Sequence, residues 1–225
     1  MSDYFAKKID HDFSVDGVVT KEIWQQATWS APFVDMASGE QAEFTTRSAI
    51  LWSETHLYVA FQAEEPDLQA SLTERDSLIF LENDLELFID GRDAYYELEV
   101  NALNTVYEVF FIWRDAFSKG TKFPPETFDI SHPDVYTFGG DYDPSDLDEG
   151  WSLEIAIPWE SLVYLADGRS LPPQDGDIWK IFLGRFQKKI VNGREISPHP
   201  ASSLRSHGVY DTHLPEEWSE ISFVV

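Results

Sequence analysis

Apolar and polar residues alternate with a period of two along most of this chain, the pattern of strands that bury one face. Ala49-Ile50-Leu51-Trp52 and Leu57-Tyr58-Val59-Ala60-Phe61 flank the polar link Ser53-Glu54-Thr55-His56, which predicts a β-hairpin. Asp84 to Ile89 leads into Asp90-Gly91-Arg92-Asp93, a tight-turn sequence, and Tyr95 to Val100 returns as the second arm of another hairpin. Further strands are predicted over Thr105 to Trp113, Trp151 to Ile157, Trp179 to Phe186 and Trp218 to Val225, with a short helical turn near Trp159 to Leu165. Between Asp115 and Gly150 the alternation fades into Pro, Gly and Asp, which predicts a long surface excursion. No segment sustains a 3.6-residue apolar period, and no repeat of about 20–50 residues is present. Many short strands separated by turn signals predict an all-β fold, a two-sheet antiparallel β-sandwich of jelly-roll type with long surface loops. With no Pro, Gly or Ser run that reads as a linker, residues 1–225 are expected to form a single domain.

Composition narrows the partners. The 41 acidic residues against 16 basic ones give a formal net charge of -25, whose field repels phosphate backbones and anionic lipid. Nucleic acid and membrane are therefore not expected as partners, whereas neutral sugars, cations and basic proteins are not penalised. Cys is absent, which removes disulfides, thiolate metal sites and a cysteine nucleophile. The stretch Met1 to Lys8 has no apolar leader region, which leaves two expectations: a cytoplasmic protein, or one whose leader lies outside this chain.

Asp16-Gly17 with Ile23-Trp24, Leu51-Trp52 with His56 to Ala60, Asp84 to Asp90, Tyr95 to Asn101 and Trp151 to Trp159 follow one another in an order and spacing that resemble carbohydrate-binding module family 9. Asp16-Gly17 followed by Ile23-Trp24 is similar to the family's opening motif, in which Asp-Gly precedes a buried Trp. Leu51-Trp52 with His56-Leu57-Tyr58-Val59-Ala60 resembles its first hairpin. Asp84-Leu85-Glu86-Leu87-Phe88-Ile89-Asp90 resembles the signature strand, and Tyr95 to Asn101 its partner. Trp151 through Pro158-Trp159 is similar to a later strand and turn. The resemblance implies a β-sandwich that holds sugar without catalysis, often at a chain end, as an accessory to a partner glycoside hydrolase, with calcium in a structural role. It also implies a sugar lying between two rings, and the first of these falls on Phe80, six positions before Glu86. The loop expected to carry the second ring, Pro200 to His207, has no aromatic residue, and a basic position on the partner strand is Glu99 here. Weak affinity, about millimolar, is the expectation unless Trp113 or Arg185 closes the site.

The candidate sugar-binding residues are thus Phe80, Glu86, Glu97, Asn101, Trp113 and Arg185. Alternation places Glu86 on one strand, and Glu97, Glu99 and Asn101 on the next, on the face opposite Leu85, Leu87, Leu98 and Val100. That face is either a hydroxyl-binding surface or an ordinary solvated one. Asp141, Asp143, Asp146 and Asp148 form an acidic loop with the hard oxygen donors that calcium takes. Two other functions remain open: a glycoside hydrolase using a carboxylate pair drawn from Glu82, Asp84 and Glu86, and a structural or protein-interaction sandwich. Trp24, Trp52, Trp151, Trp159 and Trp179 are expected in the core.

Overall fold

The structure, a computed structural model, describes residues 4–111, 134–138, 149–192, 194–196 and 200–225. Numbered along the chain, the first strands are β1 (Tyr4–Lys8), β2 (Val34–Asp35), β3 (Thr46–Trp52), β4 (His56–Glu64), β5 (Asp84–Asp90), β6 (Tyr95–Asn101) and β7 (Val106–Phe111). They are followed by β8 (Asp134–Phe138), β9 (Gly150–Pro158), β10 (Ile178–Phe186), β11 (Ile190–Val191), β12 (Arg194–Glu195), β13 (Ala201–Ser203) and β14 (Ser219–Val224). Three short 3₁₀ turns, Glu22–Gln26, Ile79–Leu81 and Trp159–Leu165, are the helical elements among the described residues.

Both expected hairpins form. β3 and β4 pair from Thr46 with Ala63 to Trp52 with Leu57, and Ser53 Oγ accepts the Thr55 and His56 amides to fix the connection. β5 and β6 pair from Asp84 with Asn101 to Asp90 with Tyr95. Their turn needs a residue without Cβ at Gly91, where an added carbon would lie 2.8 Å from Leu165 Cδ2.

The two layers of the sandwich are not separate sheets. Hydrogen bonding runs unbroken through β7-β6-β5-β10-β14-β1-β3-β4-β9-β8, a single ladder that curls over its own core. β1 is the hinge of the curl, and it pairs in parallel with both β14 and β3, so the sheet is mixed rather than wholly antiparallel. Alternation of buried Tyr4 and Ala6 with exposed Phe5 explains why the segment is a strand, although its polar end disguises the pattern. The main core gathers Ile50, Val59 and Phe61 from one layer with Leu85, Leu98 and Leu183 from the other. Trp24, Trp52, Trp151, Trp159 and Trp179 are all buried.

The region from Asp115 to Gly150, expected to lie wholly on the surface, contains a sheet strand. Val135 of β8 is buried opposite Ile155, because β9 would otherwise leave an edge of unpaired backbone groups and β8 covers it.

Candidate functional site

The polar residues of β5 and β6 share one face, as alternation requires, but that face does not meet water. Glu86 lies opposite Glu99, Asp84 opposite Asn101, and Glu97 opposite Phe88, and none of these five polar residues is more than 4% exposed. The solvated sheet face that the sequence left open is thereby corrected. Aromatic side chains share the face: Tyr107 of β7 lies beside Glu99, while Phe88, Tyr95, Phe111, Phe182 and Trp218 pack together next to Glu97.

One carboxylate oxygen from each of Asp84, Glu86 and Glu99 lies within 4.8 Å of the others. Both oxygens of Asp84, together with Glu86 Oε2, Glu97 Oε2 and Glu99 Oε2, have no hydrogen-bond partner. The Phe186 backbone amide opposes part of the rise in the Asp84 carboxyl. Burial first, and the neighbouring negative charges second, push the carboxyls of Asp84, Glu86 and Glu99 well above the usual range. Glu97 is pushed up by burial to about 7, against an opposing hydrogen bond from Glu99. His213 lies 3.8 Å from Glu97, but burial pulls its pKa down to about 4, so at neutral pH it supplies no counter-charge.

The other sequence candidates separate. Asn101 has its amide committed: Nδ2 donates to the Leu72 carbonyl at 2.9 Å, and Oδ1 accepts the Leu103 and Thr105 amides. It shapes the β6–β7 turn. Phe80, half-buried, meets Tyr107 edge-on with ring centroids 5.5 Å apart at the rim of the acidic face. Glu82 accepts the Ser71 and Leu72 amides, so of the three acids weighed as hydrolytic carboxylates only Asp84 and Glu86 converge. Trp113, Asp141, Asp143, Asp146 and Asp148 lie outside the described residues.

Arg185 belongs to a different place. It pairs with Leu85 across β5 and so points away from the Glu86 side, with Nη2 donating to Glu65 Oε2 at 2.7 Å and to Gln187 Oε1 at 2.6 Å. Nη1 donates to Thr46 Oγ1 at 3.0 Å, and the guanidinium stands 5.7 Å from the Phe44 ring. The register of β2, β13 and β10 sets Asp35, Ser202 and Arg185 abreast. These three, with Phe44, Gln187 and Tyr210, line an open cleft of about 300 Å³.

Tyr210, 38% exposed, donates its hydroxyl to Asp35 Oδ2 at 2.6 Å. Burial raises the Asp35 pKa, but that hydrogen bond and those from Ser38 and Ala37 outweigh it and hold the carboxyl below its usual value. The Asp35 bond, in turn, raises the phenol of Tyr210. The sequence reading stopped at His207 and missed Tyr210, three positions further along the same connection to β14. It also missed Phe44, which sits in a polar stretch, Glu43-Phe44-Thr45, where the lone ring was the available signal.

Comparison with known proteins bears on both places. The family described as carbohydrate family 9 binding domain-like matches residues 15–172, well over half of the chain. No curated protein matches. A crystal structure from Bacteroides uniformis ATCC 8492 is similar over 97% of this chain and 97% of its own, with TM-score 0.70 and 15% identity. A carbohydrate binding module family 9 from Caldicellulosiruptor kristjanssonii, solved in complex with cellotriose, is similar over 98% of this chain and 93% of its own, with TM-score 0.64 and 16% identity. The same organism's module solved with glucose gives 97% and 95% coverage, TM-score 0.64 and 16% identity. At such identities the likeness shows the fold.

Proposed function

We propose, from the premise that this chain belongs to the carbohydrate family 9 binding domain-like family, that it binds a neutral sugar or polysaccharide chain end without catalysis. The observation that carries the placement is the cleft between Phe44 and Tyr210, which is open while the acidic face is closed. A sugar offers C–H groups on its faces and hydroxyls at its edges, so it needs a ring to lie against and a few convergent polar groups. Phe44 and Tyr210 supply rings. Asp35 accepts from hydroxyls and Gln187 can both donate and accept, while buried Arg185 holds the Gln187 amide in place. A strongly acidic protein does not penalise a neutral ligand. Glucose and cellotriose, held by the Caldicellulosiruptor module, are the first probes.

Service to a partner glycoside hydrolase in polysaccharide breakdown is the biological setting that fits such a domain. No described helix is long and apolar enough to cross a membrane.

Calorimetric titration with cellotriose tests the placement. Wild type is expected to bind at about millimolar Kd, and Tyr210→Ala to bind about tenfold more weakly, the effect of a lost ring worth roughly 1.4 kcal/mol. Phe80→Ala serves as the contrast and should bind like wild type. The reverse pattern moves the sugar to the Phe80 and Tyr107 rim. If no neutral glycan binds at all, the interaction-domain reading replaces this one.

A further inference from the structure

We propose, resting on the sugar reading of the cleft between Phe44 and Tyr210, that this cleft favours an amino sugar, whose ring carries a free ammonium in place of a hydroxyl, over the neutral sugar of the same shape. Acidic residues are common in this chain, and a few of them on a rim would mean little by themselves. Here uncompensated charge, unused bonding capacity and aromatic surface meet in one cleft.

Charge sets the preference. The carboxylates of Asp35, Glu40 and Glu43 line the cleft, and Arg185 is the single cation among the lining residues. Arg185 does not offset them, because it is 3% exposed and stands 2.7 Å from the Glu65 carboxylate that it neutralises. Glu43 is answered by Lys189. Among the described residues neither Asp35 nor Glu40 has an ion pair. Burial opposes the Asp35 charge, yet the bonds from Tyr210, Ser38 and Ala37 hold its carboxyl below the usual range, so it is ionised at neutral pH. Such a rim attracts an ammonium and repels a sugar carboxylate.

Unused bonding capacity shows where the ligand's polar groups go. Asp35 Oδ1 already accepts three donors, the Ala37 and Ser38 amides and the Ser38 hydroxyl, whereas Oδ2 accepts from Tyr210 and has room for another. Ser202 stands abreast of Asp35 and Arg185 across β2, β13 and β10 and lines the cleft at 7% exposure. Its hydroxyl is bonded by no described residue. Hydroxyls buried to that degree are ordinarily bonded, so one left open on a cleft wall marks the place of a ligand's polar group. A sugar ring fits the pair: its ammonium donates to Asp35 Oδ2, a neighbouring hydroxyl meets Ser202, and Phe44 and Tyr210 offer rings that attract C–H groups and cations alike. A lysine side chain carries the same ammonium, but on a flexible apolar stem with no hydroxyl for Ser202 to meet.

The test is calorimetry on the full chain at pH 6 and physiological ionic strength, where charges more than about 8 Å apart are screened. It compares cellotriose with the β-1,4-linked glucosamine trimer, which differs from it by an amine in place of the 2-hydroxyl of each ring. The amino trimer is expected to bind about tenfold more tightly, since a hydrogen bond between charged groups outweighs a neutral one. In Asp35→Asn, which keeps the shape of the carboxyl, the two trimers should bind alike. Glu40→Gln should narrow the gap, and because Glu40 is exposed this variant carries the test if melting curves show Asp35→Asn to be unfolded. Glu160→Gln, an exposed acid outside the cleft, should leave the tenfold ratio unchanged. Equal or weaker binding of the amino trimer overturns the preference, and cellotriose binding that is still lost in Tyr210→Ala then leaves the sugar cleft standing. If neither trimer binds, both readings fall. The preference is also overturned if Glu160→Gln lowers it as much as Asp35→Asn does, or if a trilysine peptide binds as tightly as the amino trimer.

Discussion

Replacing Glu154 with alanine is expected to lower the unfolding free energy by about 3–5 kcal/mol, because one buried carboxylate holds four donors from the opening segment. Oε2 accepts the Asp16 amide at 2.7 Å, the Gly17 amide at 2.8 Å and Lys21 Nζ at 2.8 Å, while Oε1 accepts the indole N–H of Trp24. Glu154 is fully buried in β9, opposite Ala60 of β4. Gly17 has φ +83°, a conformation that a side chain resists, and this lets two successive amides point at one oxygen. Truncation would strand two backbone donors and an indole donor inside the protein and loosen Trp24 from Ile9, Val15 and Tyr58. Urea unfolding of wild type and Glu154→Ala at pH 7 checks this. A loss below 1 kcal/mol would mean that the opening segment is held by packing alone.

Arg185→Met should cost a similar amount, about 3–5 kcal/mol at pH 7, since it leaves Glu65 buried without its cation. Glu65 keeps Asn83 and Gln187 as donors at 3.0 Å each and the Asp67 amide at 3.2 Å, which are neutral and too little to replace a guanidinium. The dependence on pH has a definite sign. Burial already raises the Glu65 carboxyl above its ordinary 4.5, with Arg185 pulling it back, so removing Arg185 raises it further. Below 4.5 the carboxyl is protonated in folded and unfolded chains alike, and the deficit is small. As pH rises from there towards the folded value, the unfolded chain ionises first and the variant loses stability. Denaturant midpoints measured between pH 4 and pH 8 should therefore diverge from wild type as pH increases. Adding Glu65→Gln should recover most of the loss; a double variant as unstable as the single one would place the cost in lost packing over Phe44 instead.

These two carboxylates show how unevenly a sequence reports its chemistry. Glu154 sits inside an alternating strand, Leu153-Glu154-Ile155, where alternation alone assigns it to the outer face. Its actual role depends on a segment more than 130 positions earlier folding over that face, and the Asp16-Gly17 motif was legible without the acceptor that gives it purpose. Phe80, Glu86 and Asn101 were likewise legible as positions on one signature. Whether their polar groups meet solvent was not, and in the folded chain Asn101 spends its amide on a turn while Glu86 is closed in.

What the sequence by itself determined is most of the longer strands, β1 and β8 excepted, and their two faces. Strand spacing, turn chemistry and side-chain alternation are local properties, and the hairpins of β3 with β4 and β5 with β6 formed where they predicted. The net charge of -25 is likewise a property of the sequence alone, since it does not depend on the fold. Tertiary structure decided the rest. Joining of the two layers through the parallel strand β1, the burial of Asp84, Glu86, Glu97 and Glu99 together, and the meeting of Phe44, Arg185 and Tyr210 at one cleft all depend on pairings between segments far apart in the chain. Periodicity gives the face on which a side chain stands, but only the completed sheet fixes what comes to lie against that face.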